Sequence, residues 1–435
     1  MNKEKIAIIG SGISGISASL LLSKKYDVYL FEKNNYLGGH TRTKTIKENN
    51  LSYNIDTGFI VFNNDNYPDL VDFFDYLNVD TQNSNMSFSI SIKNPFLEYG
   101  SRGFNSLFSQ KNNLYSIDFW LLLKEIIRLY NHCKNISFTE KLQDWTIEDF
   151  LNNYKYSTKI KDFHIYPMIS SIWSCDKTAV KEFPLVSFIN FFNNHNLFNF
   201  YNRKQWKFVK GGSYKYIEKI INKKLFNYEI NKSVKKIVRN KNDKIKIIFE
   251  NNEIFFADKI VIATHADQAL KMIEKPSEDE KKILSKFKYS KNHAYLHSDI
   301  SFMPNKKTVW SSWNFQGKNK DEHVFSLTYW MNLLQNLQSQ KNYFVTINPH
   351  DLPNDIYDQT IFEHPIFNLD TLYAQKNMNK IQGNSNTWFC GSYCGYGFHE
   401  DGIQSSVYIS KLLGSEILWN RSSHFINRIG FSNYD

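Results

Sequence analysis

The sequence predicts an α/β fold organised on its N-terminus, and three observations carry that prediction. The run KIAII (5–9) is short, apolar and bounded by glycine. Next comes Gly10-Ser11-Gly12-Ile13-Ser14-Gly15, with its glycines spaced G-x-G-x-x-G, then a helical apolar stretch to about Ser23. A second apolar run, Val28–Phe31, ends on the acid Glu32. Strand, glycine turn, helix, strand and acid in that order form the unit that holds a dinucleotide. Gly10 permits the tight turn, Gly12 lets a pyrophosphate reach the backbone, and Gly15 lets the helix lie close to the strand. The helix beginning at Ile13 and Ser14 offers free N–H groups and its positive dipole end to phosphate. Glu32 is placed to accept from ribose hydroxyls, with Lys33 beside it.

Composition bounds the rest. A chain of 435 residues is long enough for two or three domains. It is 42% hydrophobic and 16% aromatic, so a sizeable core is expected, with aromatics to spare for lining a pocket. The net charge of +10 comes mostly from lysine, without an Arg-rich run or a nucleic-acid module, which argues against nucleic acid as a partner. A positive face towards anionic lipid, hence peripheral membrane contact, fits the same charge. The four cysteines (Cys133, Cys175, Cys390, Cys394) are too scattered for a disulfide framework or a zinc site. No metal is expected. The first strand begins almost at once, so no signal peptide is read, and no run of about eighteen apolar residues occurs to span a membrane. The expected location is the cytoplasm, with or without membrane association.

Along the chain, Gly38-Gly39-His40-Thr41-Arg42 extends the dinucleotide site. The glycine doublet brings backbone close to a ligand and Arg42 offers donors to phosphate. A longer ligand than NAD, contacted by more segments, points to FAD. Asn54–Phe59 is another glycine turn. Ile117–Asn131 has a helical apolar period and reads as a core-facing helix in preference to a membrane-binding one. Residues 183–208 are rich in Phe, Asn and Trp, giving either an aromatic wall or packed core. Met86–Ile92 alternates like a strand. A helix is expected over Tyr214–Lys224, hairpin strands over Lys244–Phe249 and Glu253–Phe256, and a buried parallel strand over Asp258–Ala263. His265 reads as a turn residue. Near the C-terminus, Thr387–Phe389 runs into glycine-rich backbone, and a helix is expected over Ile403–Leu413. Residues Arg421–Asp435 read as a polar tail.

These features resemble the flavin-containing amine oxidase superfamily. The resemblance rests on the G-x-G-x-x-G, Glu32, and the Gly38-Gly39 doublet with Arg42. The sequence is most similar to bacterial NAD/FAD-binding flavoproteins associated with cyclopropane-fatty-acid synthases, through DTGFIVFN (56–63), NYPDL (66–70), PMISSIWS (167–174), VKGGSYKY (209–216), ATHADQAL (263–270), WSSWN (310–314), TYWMN (328–332) and GFHEDG (397–402). It implies an amine-oxidase/glutathione-reductase-like fold. A discontinuous, Rossmann-like FAD-binding domain (residues 1–60, 209–275 and 386–420) would carry an inserted α+β substrate domain (61–208 and 276–385). It further implies that Val234 meets the adenine through its backbone and that Ala263 and Thr264 lie beside the cofactor. Gly391, Asp401, Gly402 and Ile403 belong to the segment that binds the ribityl chain and pyrimidine edge. Cys390-Gly391-Ser392 departs from the commoner A-G-[DE]. Cys390 or Cys394 is a candidate for a covalent flavin link, set against ordinary buried thiols. Trp310, Trp313, Tyr329, Trp330 and Asn332 are expected pocket lining or plain core.

The implied activity is an FAD-dependent oxidoreductase acting on an apolar substrate. Flavin N5 accepts a hydride from an activated C–H bond, and an allylic position in an unsaturated or modified acyl chain supplies one. His399 and Glu400 are the candidates for proton handling. Four readings stay open: dehydrogenation of a lipid acyl chain, double-bond isomerisation, amine oxidation, and a non-catalytic FAD-containing partner of a fatty-acid-modifying methyltransferase.

Overall fold

The computed structural model describes residues 3–136, 140–201, 203–239, 244–319, 325–423 and 425–430. Its nucleotide domain is a five-stranded parallel sheet assembled from distant chain segments. The order across it is Asn227–Glu229, Asp27–Phe31, Lys5–Ile9, Lys259–Ile262, Thr387–Phe389. Ile8 pairs with Leu30 on one side and Val261 on the other. Both faces of the first strand are covered, which is why KIAII is apolar without alternation. Ile6 and Ile8 pack with the helix Ile13–Leu22, while Ala7 and Ile9 face the three-stranded antiparallel layer Val234–Val238, Ile245–Phe249, Ile254–Ala257. The first helix is buried along its whole length, with the last helix, His399–Leu412, lying against it. The helix Pro68–Tyr76 contributes Leu70, Phe73 and Phe74 to this same core, carrying it past the sequence-based boundary at residue 60.

The second domain is a seven-stranded mixed sheet. Its order is Ile356–Ile366, Lys288–His297, Phe344–Ile347, Ser326–Trp330, Trp313–Asn319, Phe88–Asn94, Leu97–Gly100. Helices Ile117–Asn135, Ile147–Asn153, Tyr166–Trp173 and Leu185–Asn194 close one face around an aromatic-rich core. The helix at Ile117 starts where the Ser116 hydroxyl accepts from the Phe119 N–H (3.3 Å), an N-cap arrangement. Phe119, Leu122, Ile126, Leu129 and Cys133 recur at helical spacing and are buried.

Two local expectations are corrected. The last helix begins at His399, four residues before the expected Ile403, so Glu400 and Asp401 lie in its first turn. The C-terminal segment is not a free polar tail in its described part. The Arg421 guanidinium donates to both Asp69 carboxylate oxygens (2.9 and 2.6 Å), and Arg428 pairs with Asp401 (2.9 Å). Two buried carboxylates need those cations, because a charge without a partner is costly out of water. Residues 431–435 of the expected tail lie outside the described residues.

Candidate functional site

A single cavity of about 1080 Å³ runs from the N-terminal glycine turn into the second domain. At its nucleotide end the three glycines have three separate causes. Gly10 sits at φ +97°, and an added Cβ would meet Ala263 O at 2.9 Å. At Gly15 a Cβ would fall 1.8 Å from Gly10 O, so the helix reaches the strand only without a side chain. At Gly12 a Cβ would meet nothing within 4 Å, although the residue caps the first helix. That helix has neither a side-chain cap nor an acid in its first turn. Open space before uncapped N–H groups is the cradle a pyrophosphate fills. Glu32 is fixed beside it: one carboxylate oxygen accepts from the Ser11 N–H (2.9 Å) and hydroxyl (2.6 Å), the other from the Asn34 N–H (2.9 Å).

Most of the expected cofactor residues meet here. Gly10, Gly12, Ile13, Ser14, Glu32, Lys33, Gly38, Gly39, His40, Arg42, Val234, Ala263, Thr264 and Gly391 all line the cavity. Gly39 stacks on the first turn, where its Cβ would come 3.1 Å from Gly12 Cα. Arg42 is on the wall, but its guanidinium is committed to Asp358 through two N–H groups, and to Thr57 Oγ1 (3.2 Å). This ion pair, joined by Lys44, holds Asp358 below the usual carboxylate range against the effect of burial.

Other expected residues are withdrawn from the cavity. Gly15 packs the helix, as its position in the motif requires. Thr41 is buried behind the wall, where its hydroxyl meets the Tyr216 hydroxyl and lies 3.0 Å from His399 Nε2. Gly402 sets the distance between the first and last helices, since a Cβ there would come within 2.6 Å of Ile13 Cγ2. Ile403 is core. Asp401 accepts from the Phe398 N–H (2.7 Å) and is paired with Arg428, so its carboxylate serves the helix start. Neither Cys390 nor Cys394 is on the wall, and burial pushes both thiols up, which speaks against a covalent flavin link.

The proton-handling expectation divides. Glu400 is fully buried and faces away from the cavity. One of its oxygens accepts from the Asp69 N–H (3.1 Å) and the Gln404 amide (2.9 Å), the other from the Leu70 N–H (2.9 Å). It therefore satisfies the N-terminal donors of the helix Pro68–Tyr76, and its expected catalytic role is corrected to a capping one. Burial and the nearby Asp69 carboxylate raise its pKa. His399 does line the cavity, stacked on Phe59 with ring centroids 3.6 Å apart. Burial pushes its pKa down to about 3, so it is neutral.

The sequence did not mark a histidine group on the wall. His40 stacks on Phe362 (4.9 Å) and lies edge-on to His364 (5.3 Å). His265, expected as a turn residue, caps the helix Ala266–Met272, lines the cavity, stacks on Tyr289 (4.2 Å) and meets Glu363 (3.3 Å). Burial pushes His364 down to about 4; burial and the neighbouring imidazoles push His40 well below its ordinary value. The His40 ring also bonds the Glu363 backbone, while its Nε2 is buried without a partner among the described residues. Trp313 Nε1, also on the wall, is likewise unpaired. Buried polar atoms are seldom left unmet, so both fit a wall completed by a ligand.

Beyond the glycines the wall turns apolar: Met86, Phe88, Met168, Ile172, Trp173, Phe191, Leu197, Trp206 and Tyr329. Of the tryptophan strands only Trp313 and Tyr329, paired across the sheet, reach it; Trp310 and Trp330 pack on each other and on Phe344. Asn332 donates to the Lys341 carbonyl (2.7 Å). In the aromatic stretch Phe191, Leu197 and Trp206 line the cavity, whereas Phe188, Phe192 and Phe198 are core. The carboxylates on the wall are Glu32, Glu250 and Glu363. Glu250 bonds Ser233 next to Val234, and Glu363 lies by His265 and Lys33, so all three belong to the nucleotide end.

The first domain has a Rossmann-like fold, and the two domains together have the fold of flavin amine oxidases. Residues 8–77 match the NAD(P)-binding Rossmann-like domain family. The whole chain is similar in structure to a CLA-producing fatty acid isomerase from P. acnes (TM-score 0.66, 13% identity, 94% of this chain and 98% of that one). It is equally similar to cyclohexylamine oxidase from Brevibacterium oxydans IH-35A (0.66, 15%, 95% and 100%) and to a putrescine oxidase bound to putrescine (0.65, 12%, 94% and 99%). At such identities the likeness is one of fold. No curated protein matches the chain in sequence.

Proposed function

We propose that this chain is an FAD-dependent oxidoreductase whose substrate is an unsaturated acyl chain. One observation carries the reading: a cavity that begins at a pyrophosphate cradle ends in an apolar, aromatic chamber whose described wall holds no carboxylate. A diamine calls for a carboxylate at the far end of the chamber, and the described wall there has none; an alkyl chain asks for apolar surface alone. FAD fits the residues present, through the open cradle at Gly12, the fixed Glu32 and the glycine doublet. When bound, it supplies the acceptor for a hydride. The chain's own residues then have distinct tasks. Met168, Ile172, Trp173 and Phe191 hold the acyl chain and exclude water. His399, a neutral imidazole on the wall beside Phe59, is the group that takes a proton. A weak base suffices there, since a C–H next to an allyl cation is strongly acidic.

Isomerisation is the second reading. It is favoured by the withdrawal of Glu400, because a hydride that leaves and returns to the far end of the allyl system needs no base. The test is anaerobic flavin absorbance with an unsaturated fatty acid, and in parallel with a diamine. Lasting bleaching by the acid supports dehydrogenation. Unbleached flavin with a shifted double bond supports isomerisation. Bleaching by the amine alone overturns both, and a protein that takes up no FAD overturns the cofactor.

A further inference from the structure

The helix Ile117–Asn135 is apolar on two sides. Its inner face is core, but Ile117 (77% exposed), Trp120 (50%), Leu121 and Ile127 form an outer stripe at helical spacing. The stripe is not isolated. Tyr115, 89% exposed, precedes it, and Trp120 continues through Phe108 (ring centroids 5.3 Å) to the exposed Phe104 (4.7 Å). On the helix's inner face the buried Tyr130 stacks on Phe200 (5.4 Å), itself exposed like Tyr201 beside it. The segment that carries these two rings also supplies Leu197 and Arg203 to the cavity wall. Single exposed apolar residues are ordinary; a stripe of four along one helix face, continued by Tyr115, is not.

Charge decides what covers it. Lys111, Lys124 and Lys134 are exposed along the same stretch, while Arg128 is held on the Tyr154 carbonyl (2.9 Å) and over the Tyr156 ring. Of the acids there, Asp118 is paired with Lys159 (2.8 Å) and Glu125 accepts from the Ser157 N–H (3.0 Å). Aromatic and aliphatic side chains interleaved with exposed lysines suit a bilayer surface, where rings sit at headgroup depth and cations meet lipid phosphates.

We propose that this face docks the protein peripherally on an anionic phospholipid bilayer. The docking stands whichever reaction the flavin performs, and it is tested without turnover. The full-length, FAD-loaded protein is floated with phosphatidylcholine vesicles, with and without phosphatidylglycerol. Binding is expected only with phosphatidylglycerol and weakens as salt rises. The double variant Trp120→Ser/Ile127→Asn should bind at least about tenfold more weakly, and Lys124→Gln about fivefold, each with an unchanged flavin spectrum. Absence of vesicle binding, or equal binding by the double variant, overturns the proposal. So does equal binding to neutral vesicles. Light scattering that shows a dimer turned into a monomer by the double variant, without vesicle binding, assigns the face to a second copy instead.

Discussion

The two ends of the cavity are built by different means. At the nucleotide end the wall is largely backbone: a turn with a glycine at φ +97°, an uncapped helix start, and a doublet stacked on the turn. At the far end it is side chain, gathered from Met86, Phe88, Met168, Ile172, Trp173, Phe191, Leu197, Trp206, Trp313 and Tyr329. Backbone recognition needs particular residues at fixed spacing, because only glycine tolerates the geometry. An apolar chamber needs only size and hydrophobicity, which many sequences supply.

The sharpest test of that contrast lies within the first motif. Gly15→Val should abolish flavin retention and cost more than about 3 kcal/mol, since its Cβ must displace backbone. Gly12→Ala should leave the cofactor-free protein as stable, or up to about 1 kcal/mol more so, while weakening FAD binding at least about tenfold. Thermal unfolding and flavin titration separate the two; unaltered FAD affinity in Gly12→Ala would remove the pyrophosphate from that place.

Arg428→Ala leaves Asp401 as an unpaired buried charge, and a loss of about 3–5 kcal/mol is expected in denaturant unfolding. A loss under about 1 kcal/mol would restore the polar-tail reading.

Acid should act through buried imidazoles. Burial holds His164 and His399 near about 3, and His297 and His364 near about 4, against an ordinary 6.5. Their neutral forms are native, so the unfolded chain binds more protons below pH 6.5. Stability is therefore full above that pH and falls as pH drops towards 4, by up to about 1.4 kcal/mol per unit for each histidine. The raised carboxyls of Asp56 and Glu400 work in the opposite sense, so melting temperatures are compared with those of His297→Gln across this window; equal slopes would mean that water reaches the His297 ring.

A smaller effect is expected at the far end. Ile172→Trp should raise KM for an acyl substrate about tenfold, by filling the chamber, with flavin content unchanged. If flavin is lost as well, the two ends are not separable.

The smallest effect on turnover is expected at Glu400. Glu400→Gln should cost about 1–3 kcal/mol of stability by turning a donor against backbone N–H groups, yet leave kcat within about threefold. A fall of about a hundredfold would return Glu400 to proton transfer.

By itself the sequence determined the nucleotide end. The spacing of Gly10, Gly12 and Gly15, the acid Glu32 and the doublet at Gly38 are local constraints, and each lies where the motif requires. It also determined strands such as Lys259–Ile262 and Phe88–Asn94, because a buried parallel strand and an alternating one differ in their residue pattern. Tertiary structure alone decided the rest. Glu400 and His399 are adjacent in sequence, yet one caps a distant helix and the other lines the cavity; helix rotation, absent from a motif, separates them. Arg421 and Arg428 look like a tail until Asp69 and Asp401, far away in sequence, are seen to need them. His40, His265 and His364 meet only because the Gly38 loop, the turn after Lys259–Ile262 and the strand Ile356–Ile366 converge on one wall. Phe191 and Phe192 are neighbours of one type, and only packing makes the first a wall and the second core. The physical reason is common to all four: short-range backbone geometry is written in residue identity, whereas burial and charge pairing depend on what the fold brings alongside.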